Sequence, residues 1–193
     1  MQSLKITDQN LVKQYVQGNE ACLEMLINRH KNRIFTTIIL IVKDSYIAED
    51  LFQETFIKII NNLKKGKYNE EGKFLPWAMR IAHNMAIDYF RKMKRMPTIT
   101  DSSGDDVFRT IKIAVENREE QIIRTEKEDM VRLAINKLPE EQRQVIILRH
   151  YGNLSFKEIA AMTDVSINTA LGRMRYALTN MRKIMEHTSI QTT

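Results

Sequence analysis

Apolar residues return every three or four positions through most of this chain, the repeat of amphipathic helices. The window from about Asp8 to Arg29 predicts the start of a helix pair, and residues 31–42 predict an apolar helix. Asp44 or Ser45 can cap a further helix running to about Leu63. "GKYNEEGK" (66–73) reads as a loop. Pro76 suits the first turn of a helix that continues to about Arg95. Periodicity then fades across 98–120 and returns at 121–137, 140–150, 155–162 and 166–185. No convincing strand alternation is present, so the expected class is all-α: two small helical domains joined by a flexible acidic linker. The expected boundaries are 1–97, 98–120 and 121–193.

The C-terminal pattern is the more regular. Pro139 with Glu140 and Glu141 makes a good helix start, since negative charge suits a helix N-terminus. "SFKE" (155–158) matches a capping box, with Ser155 as cap and Glu158 three residues on. "MTDV" interrupts the repeat, and Ser166 caps the next helix. Short helix, tight turn and second helix are the spacing of a helix-turn-helix. In that last helix Ile167, Ala170, Met174, Ala177 and Met181 share the expected buried face, flanked by Leu171 and Leu178. Thr169, Gly172, Arg173 and Tyr176 lie opposite, with Asn168 and Arg175 toward one edge. Arg can bond guanine or phosphate, Asn can bond adenine, and the hydroxyls add further hydrogen bonds. Gly172 admits close approach, at a helix-interior cost of about 1 kcal/mol. The expected role of this face is to read duplex DNA.

Two N-terminal helices carry sharper information. In "EDLFQETFIKIINNL" the expected core face is Phe52, Phe56, Ile59, Ile60 and Leu63. Opposite stand Asp50, Gln53, Glu54, Ile57 and Asn61, an apolar anchor within a polar rim, as a docking surface would have. In "PWAMRIAHNMAIDYFRKMKR" the core stripe is Ala78, Ala82, Met85, Ala86, Tyr89 and Met93. The other side carries Trp77, Arg80, Asn84, Asp88 and Arg91. Cations with an aromatic and an amide suit a strand whose bases are exposed. An alternative stays open on the residues alone: Trp77 buried, with Arg91 paired to Asp88 at i,i+3. His83, beside this face, is expected to be solvated or hydrogen-bonded rather than a metal ligand.

Charge sharpens the division. Residues 1–97 hold 16 basic and 10 acidic side chains, residues 98–120 hold 3 and 6, and residues 121–193 hold 11 and 8. Two basic blocks thus flank an acidic middle, and the chain's net +6 suits either an anionic partner or solubility alone. The single cysteine, Cys22, excludes an intramolecular disulfide; it reads as a core filler in a reducing compartment. The longest apolar stretch, "IFTTIILIV", is nine residues against the roughly twenty of a membrane span, so a cytoplasmic protein is expected. There is no Gly-rich phosphate loop, no metal-spaced His/Cys set and no nucleophile motif. No enzyme, cofactor, metal or small-molecule substrate is expected.

"YIAEDLFQETFIKII", then "FLPWAMRIAHNMAIDYFRKMKR", then an acidic linker, then "LPEEQRQVIILRHYGNLSFKEIAAMTDVSINTALGRMRYAL" resembles an extracytoplasmic-function (ECF) sigma factor of the bacterial sigma-70 family. The resemblance covers about residues 10–185. It implies that Asp50, Gln53, Glu54 and Ile57 grip the β′ subunit of core RNA polymerase. It implies that Trp77, Arg80, Asn84, Asp88 and Arg91 capture the melted minus-ten element of promoter DNA, with the loop 67–73 helping to hold a flipped base. Ser166, Asn168, Thr169, Arg173, Arg175 and Tyr176 would read the minus-thirty-five element. The implied partners are the polymerase β′ and β subunits, promoter DNA and an anti-sigma factor. Leu171 and Gly172 stand where the family often has a basic residue followed by Ser, and Tyr176 where a basic residue is frequent. A stand-alone helix-turn-helix regulator is the rival reading; it accounts for the C-terminal unit but not for the two N-terminal faces.

Overall fold

Thr7 opens the first helix by accepting the Asn10 N–H on its hydroxyl at 3.3 Å, and α1 spans Asp8–Val16. Gly18, at φ +104°, turns the chain, and Asn19 leads into α2, Glu20–Val42. The expected separation of an 8–29 window from a 31–42 helix is corrected here. The break lies at 17–19, and α2 runs unbroken for 23 residues. The polar run "HKNR" is one turn of that helix: Lys31, Asn32 and Arg33 are exposed while His30 points inward. Lys43 ends α2 in a left-handed conformation. Asp44 then caps α3, Ser45–Lys64, accepting the Ile47 N–H at 3.0 Å. After the loop, α4 spans Phe74–Arg95.

The computed structural model describes residues 6–69, 71–95 and 130–190. The chain divides into two units, Met1–Asp105 and Asp106–Thr193. The expected linker 98–120 lies outside the described residues, as does Glu70 of the loop.

In the N-terminal unit α2 is central and packs against α1, α3 and α4. Leu26, Ile34, Ile38, Ile59, Phe74 and Met79 are fully or almost fully buried. Each such side chain contributes about 1.5–3 kcal/mol of burial. Ala78, Ala82 and Ala86 form the covered side of α4, all at 0% exposure, so its backbone can lie close to its neighbours. On α3 two core expectations shift. Phe52 and Ile60 are half-buried, and Leu51 and Thr55 take the inner positions of α3. Phe52 instead joins an edge-to-face aromatic set with Phe35 and Phe56. Met93 is exposed, and His83 is buried, which excludes the solvated one of its two expected states. Cys22 is buried, as a core filler should be.

The C-terminal unit has a helix at 130–137 (α5), then α6, Glu140–Ile146, which runs into a π-helical turn, Ile147–Tyr151. Ser155 and Glu158 form the full reciprocal capping box at the start of α7, Phe156–Thr163. Asp164, left-handed at φ 54°, reverses the chain. Ser166 accepts the Thr169 N–H at 3.0 Å and starts α8, Ile167–Ile190. Ile135, Leu138, Ile146 and Ala177 form the core, with Val131, Tyr151, Met174, Met181 and Ile184 around it. Among the described residues no strand is present.

The buried stripe of α8 is narrower than its pattern promised. Ala170 and Ala177 are fully covered, but Ile167, Leu171 and Leu178 are 44–52% exposed. Ile167 opens the helix and lies about 60° around its axis from fully buried Ala170, at the margin of the buried side. Gly172 has open space where a Cβ would stand, with no described atom within 4 Å. Gly172→Ala should therefore raise the stability of this unit by about 1 kcal/mol. Urea denaturation checks it; a loss of stability would reveal an internal demand for glycine there.

Candidate nucleic-acid interface

Three outward ridges remain once the cores are filled. On α3, Asp50, Gln53 and Glu54 are exposed, and Ile57 is 58% exposed among them. Tyr46, 81% exposed, stands one turn before Asp50 on the same side. The sequence reading passed over it, although its i−4 spacing from Asp50 was visible. An isoleucine and a tyrosine left in solvent on one acidic and amide face provide anchors for a partner surface.

On α4, Arg80, Asn84, Asp88 and Arg91 are all exposed on the side away from the alanine stripe. Among the described residues no ion pair joins Asp88 to Arg91. Trp77 is half-buried, between the two alternatives left open above. Its ring lies 4.5 Å from that of Tyr68 and 5.9 Å from that of Phe74. Tyr68 comes from the loop before α4, so loop and helix meet through an aromatic cluster at one end of the cationic ridge. Nothing local in the sequence marked this pairing, because it joins residues nine apart across a turn.

On α8, Asn168, Thr169, Arg175 and Tyr176 are exposed, and Arg173 is half-buried. Ser166 and Thr169 also share a hydroxyl hydrogen bond of 2.8 Å, so both are engaged in starting the helix. A groove of about 370 Å³ lies beside this ridge, between Phe156 of α7 and Leu171, Leu178 and Arg182 of α8. Its floor is apolar and two arginines, Arg175 and Arg182, line it.

A polar cluster behind the loop was missed altogether. The Asp8 carboxylate holds both Arg29 and His30. The His30 ring is buried, and its Nε2–H donates to Asp8 Oδ2 at 2.8 Å. Among the described residues His30 Nδ1 has no hydrogen-bond partner. A second proton on the ring would thus sit in apolar surroundings. Burial accordingly lowers the His30 pKa, against the opposing pull of Asp8 and with lesser help from Arg29 and Arg33.

Among the described residues no cluster of His, Cys, Asp or Glu could hold a metal ion, and no helix is long and apolar enough to cross a membrane. The arrangement offers ridges for binding.

These features define a two-unit helical protein with a helix-turn-helix and a separate cationic, aromatic-ended helix. The profile for Sigma-70 region 2 matches residues 26–96, and that for Sigma-70, region 4 matches residues 128–179. Together they span well over half the chain. The chain is 29% identical over 172 residues to the RNA polymerase sigma-H factor of Pseudomonas aeruginosa, covering 86% of this chain and 88% of that one. It is 29% identical over 174 residues to the ECF RNA polymerase sigma-E factor of Haemophilus influenzae, covering 88% and 90%. The solved structure of CnrH in complex with the cytosolic domain of CnrY has a similar fold, at a TM-score of 0.67 and 19% identity over 93% of this chain and 97% of that one. RpoE in complex with the anti-sigma factor NepR, from Bartonella quintana, matches at a TM-score of 0.62 and 17% identity over 85% and 96%. The chain belongs to the sigma-70 family of RNA polymerase sigma factors, in its extracytoplasmic-function branch.

The lowered His30 pKa carries a pH dependence. Unfolded His30 takes up a proton near the ordinary value of about 6.5, which the folded ring resists. The stability from this site is full above that pH and is lost as pH falls from it toward the lower folded value. The melting temperature of the N-terminal unit should fall between pH 7.5 and 5.5, and His30→Gln should flatten that slope. Circular-dichroism melts test it; an unchanged slope in the variant would remove His30 as the source.

Proposed function

We propose that the three ridges divide the work of promoter-specific initiation among a polymerase, an opened strand and an intact duplex. Asp50, Gln53, Glu54 and Ile57 on α3 dock on the β′ subunit of core RNA polymerase. Trp77, Arg80, Asn84, Asp88 and Arg91 on α4 receive the separated minus-ten strand. Arg80 and Arg91 attract phosphates, Asn84 offers an amide to a base edge, and the Tyr68–Trp77 pair bounds the ridge with aromatic surface. Asp88 repels phosphate and so confines the backbone to the arginines on either side of it. The observation that carries this reading is the α4 ridge itself: exposed cations and an amide, ending on aromatics, opposite a fully buried alanine stripe.

The helix-turn-helix reads the minus-thirty-five duplex. Ser166 and Thr169 present the α8 N-terminus, where backbone N–H groups favour a phosphate. Asn168, Arg173, Arg175 and Tyr176 reach for base edges and flanking phosphates, and the open space at Gly172 lets the helix sit deep. The acidic segment 98–120 joins the two units. The apolar, arginine-lined groove beside α8 suits a second contact, with the β subunit. The protein acts by binding rather than by catalysis, and it works in the cytoplasm. Two similarly folded proteins are known in complexes, one with CnrY and one with the anti-sigma factor NepR. An anti-sigma factor that covers these ridges is the corresponding regulator here.

Purified chain added to core polymerase on supercoiled genomic DNA of its host should start transcripts whose upstream sequences share two elements. Transcription only when another sigma factor is supplied would favour the stand-alone regulator. Two substitutions separate the N-terminal roles. Glu54→Lys should weaken core association about tenfold, while Asn84→Ala should leave it intact and slow open-complex formation by a similar factor. Fluorescence anisotropy and permanganate footprinting read the two effects. Equal loss of both properties in either variant would contradict the division.

A further inference from the structure

A continuous set of contacts runs from α1 to the loop that meets the minus-ten ridge. The Asp8 carboxylate is fixed by Arg29, which also donates to the Ile6 carbonyl at 2.8 Å. Asp8 in turn accepts the Nε2–H of buried His30. The other side of that imidazole meets Phe74, with ring centroids 5.6 Å apart. Phe74, 2% exposed, is the first residue of α4. Its ring lies 6.2 Å from Tyr68 and 5.9 Å from Trp77, whose own rings meet at a tilt of 44° with centroids 4.5 Å apart. Three helices and the loop thus converge on one imidazole and one phenyl ring. Asp8 lies outside the stretch matched by the region 2 profile, which begins at residue 26.

We propose that Asp8 and His30 are positioning residues for promoter melting: by fixing Phe74 they hold Tyr68 and Trp77 in the tilted contact that an opened strand meets. The inference rests on the assignment of the α4 ridge to the minus-ten strand. Its physical basis is the cost of leaving a buried N–H without an acceptor. Without the Asp8 carboxylate, the imidazole must turn or admit water to satisfy Nε2–H. Either movement withdraws the ring that Phe74 meets. Phe74 is the shared neighbour of Tyr68 and Trp77, so their contact loosens with it. A strand would then meet a mobile aromatic pair and would have to order it on binding.

The experiment uses the full chain, in which Trp77 is the only tryptophan and therefore reports on this cluster alone. Asp8→Ala removes the acceptor; Asp8→Asn keeps an acceptor oxygen and serves as the rescue. Trp77 emission and acrylamide quenching are recorded on free protein whose helix content matches wild type. Open-complex formation is then timed in holoenzyme, on the promoter most active in the genomic transcription experiment. The expected result for Asp8→Ala is increased quenching, melting slowed about threefold or more and core affinity unchanged, with Asp8→Asn near wild type in every arm. Wild-type quenching in Asp8→Ala overturns the coupling. Increased quenching with wild-type melting overturns the positioning role. Failure of the wild-type chain to initiate overturns the underlying minus-ten assignment instead, a result distinct from either.

Discussion

The alanine seam of α4 is the constraint from which the N-terminal half takes its form. Ala78, Ala82 and Ala86 can be fully covered only if the backbone of α4 lies close to its neighbours, and that contact fixes the rotation of the helix about its own axis. Once the rotation is set, Arg80, Asn84, Asp88 and Arg91 have no choice but solvent. Larger apolar residues at the seam would push the helix outward and let it turn; polar ones would leave buried groups without partners. The same device recurs in the C-terminal half, where Ala170 and Ala177 seat α8 and leave Asn168, Arg175 and Tyr176 outside. The ridges on α4 and α8 are thus the far sides of small-residue seams, and folding and presentation are one event.

The ridges differ in chemistry, and the proposed targets differ with them. The α3 ridge is acidic and amide-bearing around apolar anchors, which suits a protein surface and repels DNA. The α4 ridge is cationic with aromatics at one end, which suits phosphates and unstacked bases. The α8 ridge carries Arg, Asn and Tyr hydrogen-bonding groups near a helix start, which suits a groove. Neither the α4 nor the α8 ridge is large, so the proposed division of labour has a physical reason. Two modest contacts carried on one chain gain by effective concentration once polymerase holds them.

Much of this was legible in the sequence wherever the determinant was local. The Asp44 cap, the Ser155–Glu158 box, the Ser166 cap and the sides of α3 and α4 each follow from residues within a turn or two of one another. What stayed hidden depended on tertiary neighbours. His30 sits in a polar run that reads as surface, and only the approach of Asp8 and Phe74 makes it an interior residue. Tyr68 lies in a loop, and its contact with Trp77 depends on how that loop folds back. Ile167 reads as core by periodicity, yet it lies at the margin of the buried side of α8. The break between α1 and α2 was misplaced because hydrophobic spacing continues past Gly18, whereas the backbone does not.

The central claim is that α4 and α8 face different forms of the same DNA. Photo-crosslinking side chains placed at Arg80 and, separately, at Arg175 in holoenzyme bound to promoter DNA test it most directly. The account predicts that position 80 links to one strand within the melted segment, and only after opening. Position 175 should link to duplex upstream of it, before and after opening alike. Links from position 80 to closed duplex, or from both positions to the same segment, would contradict the account.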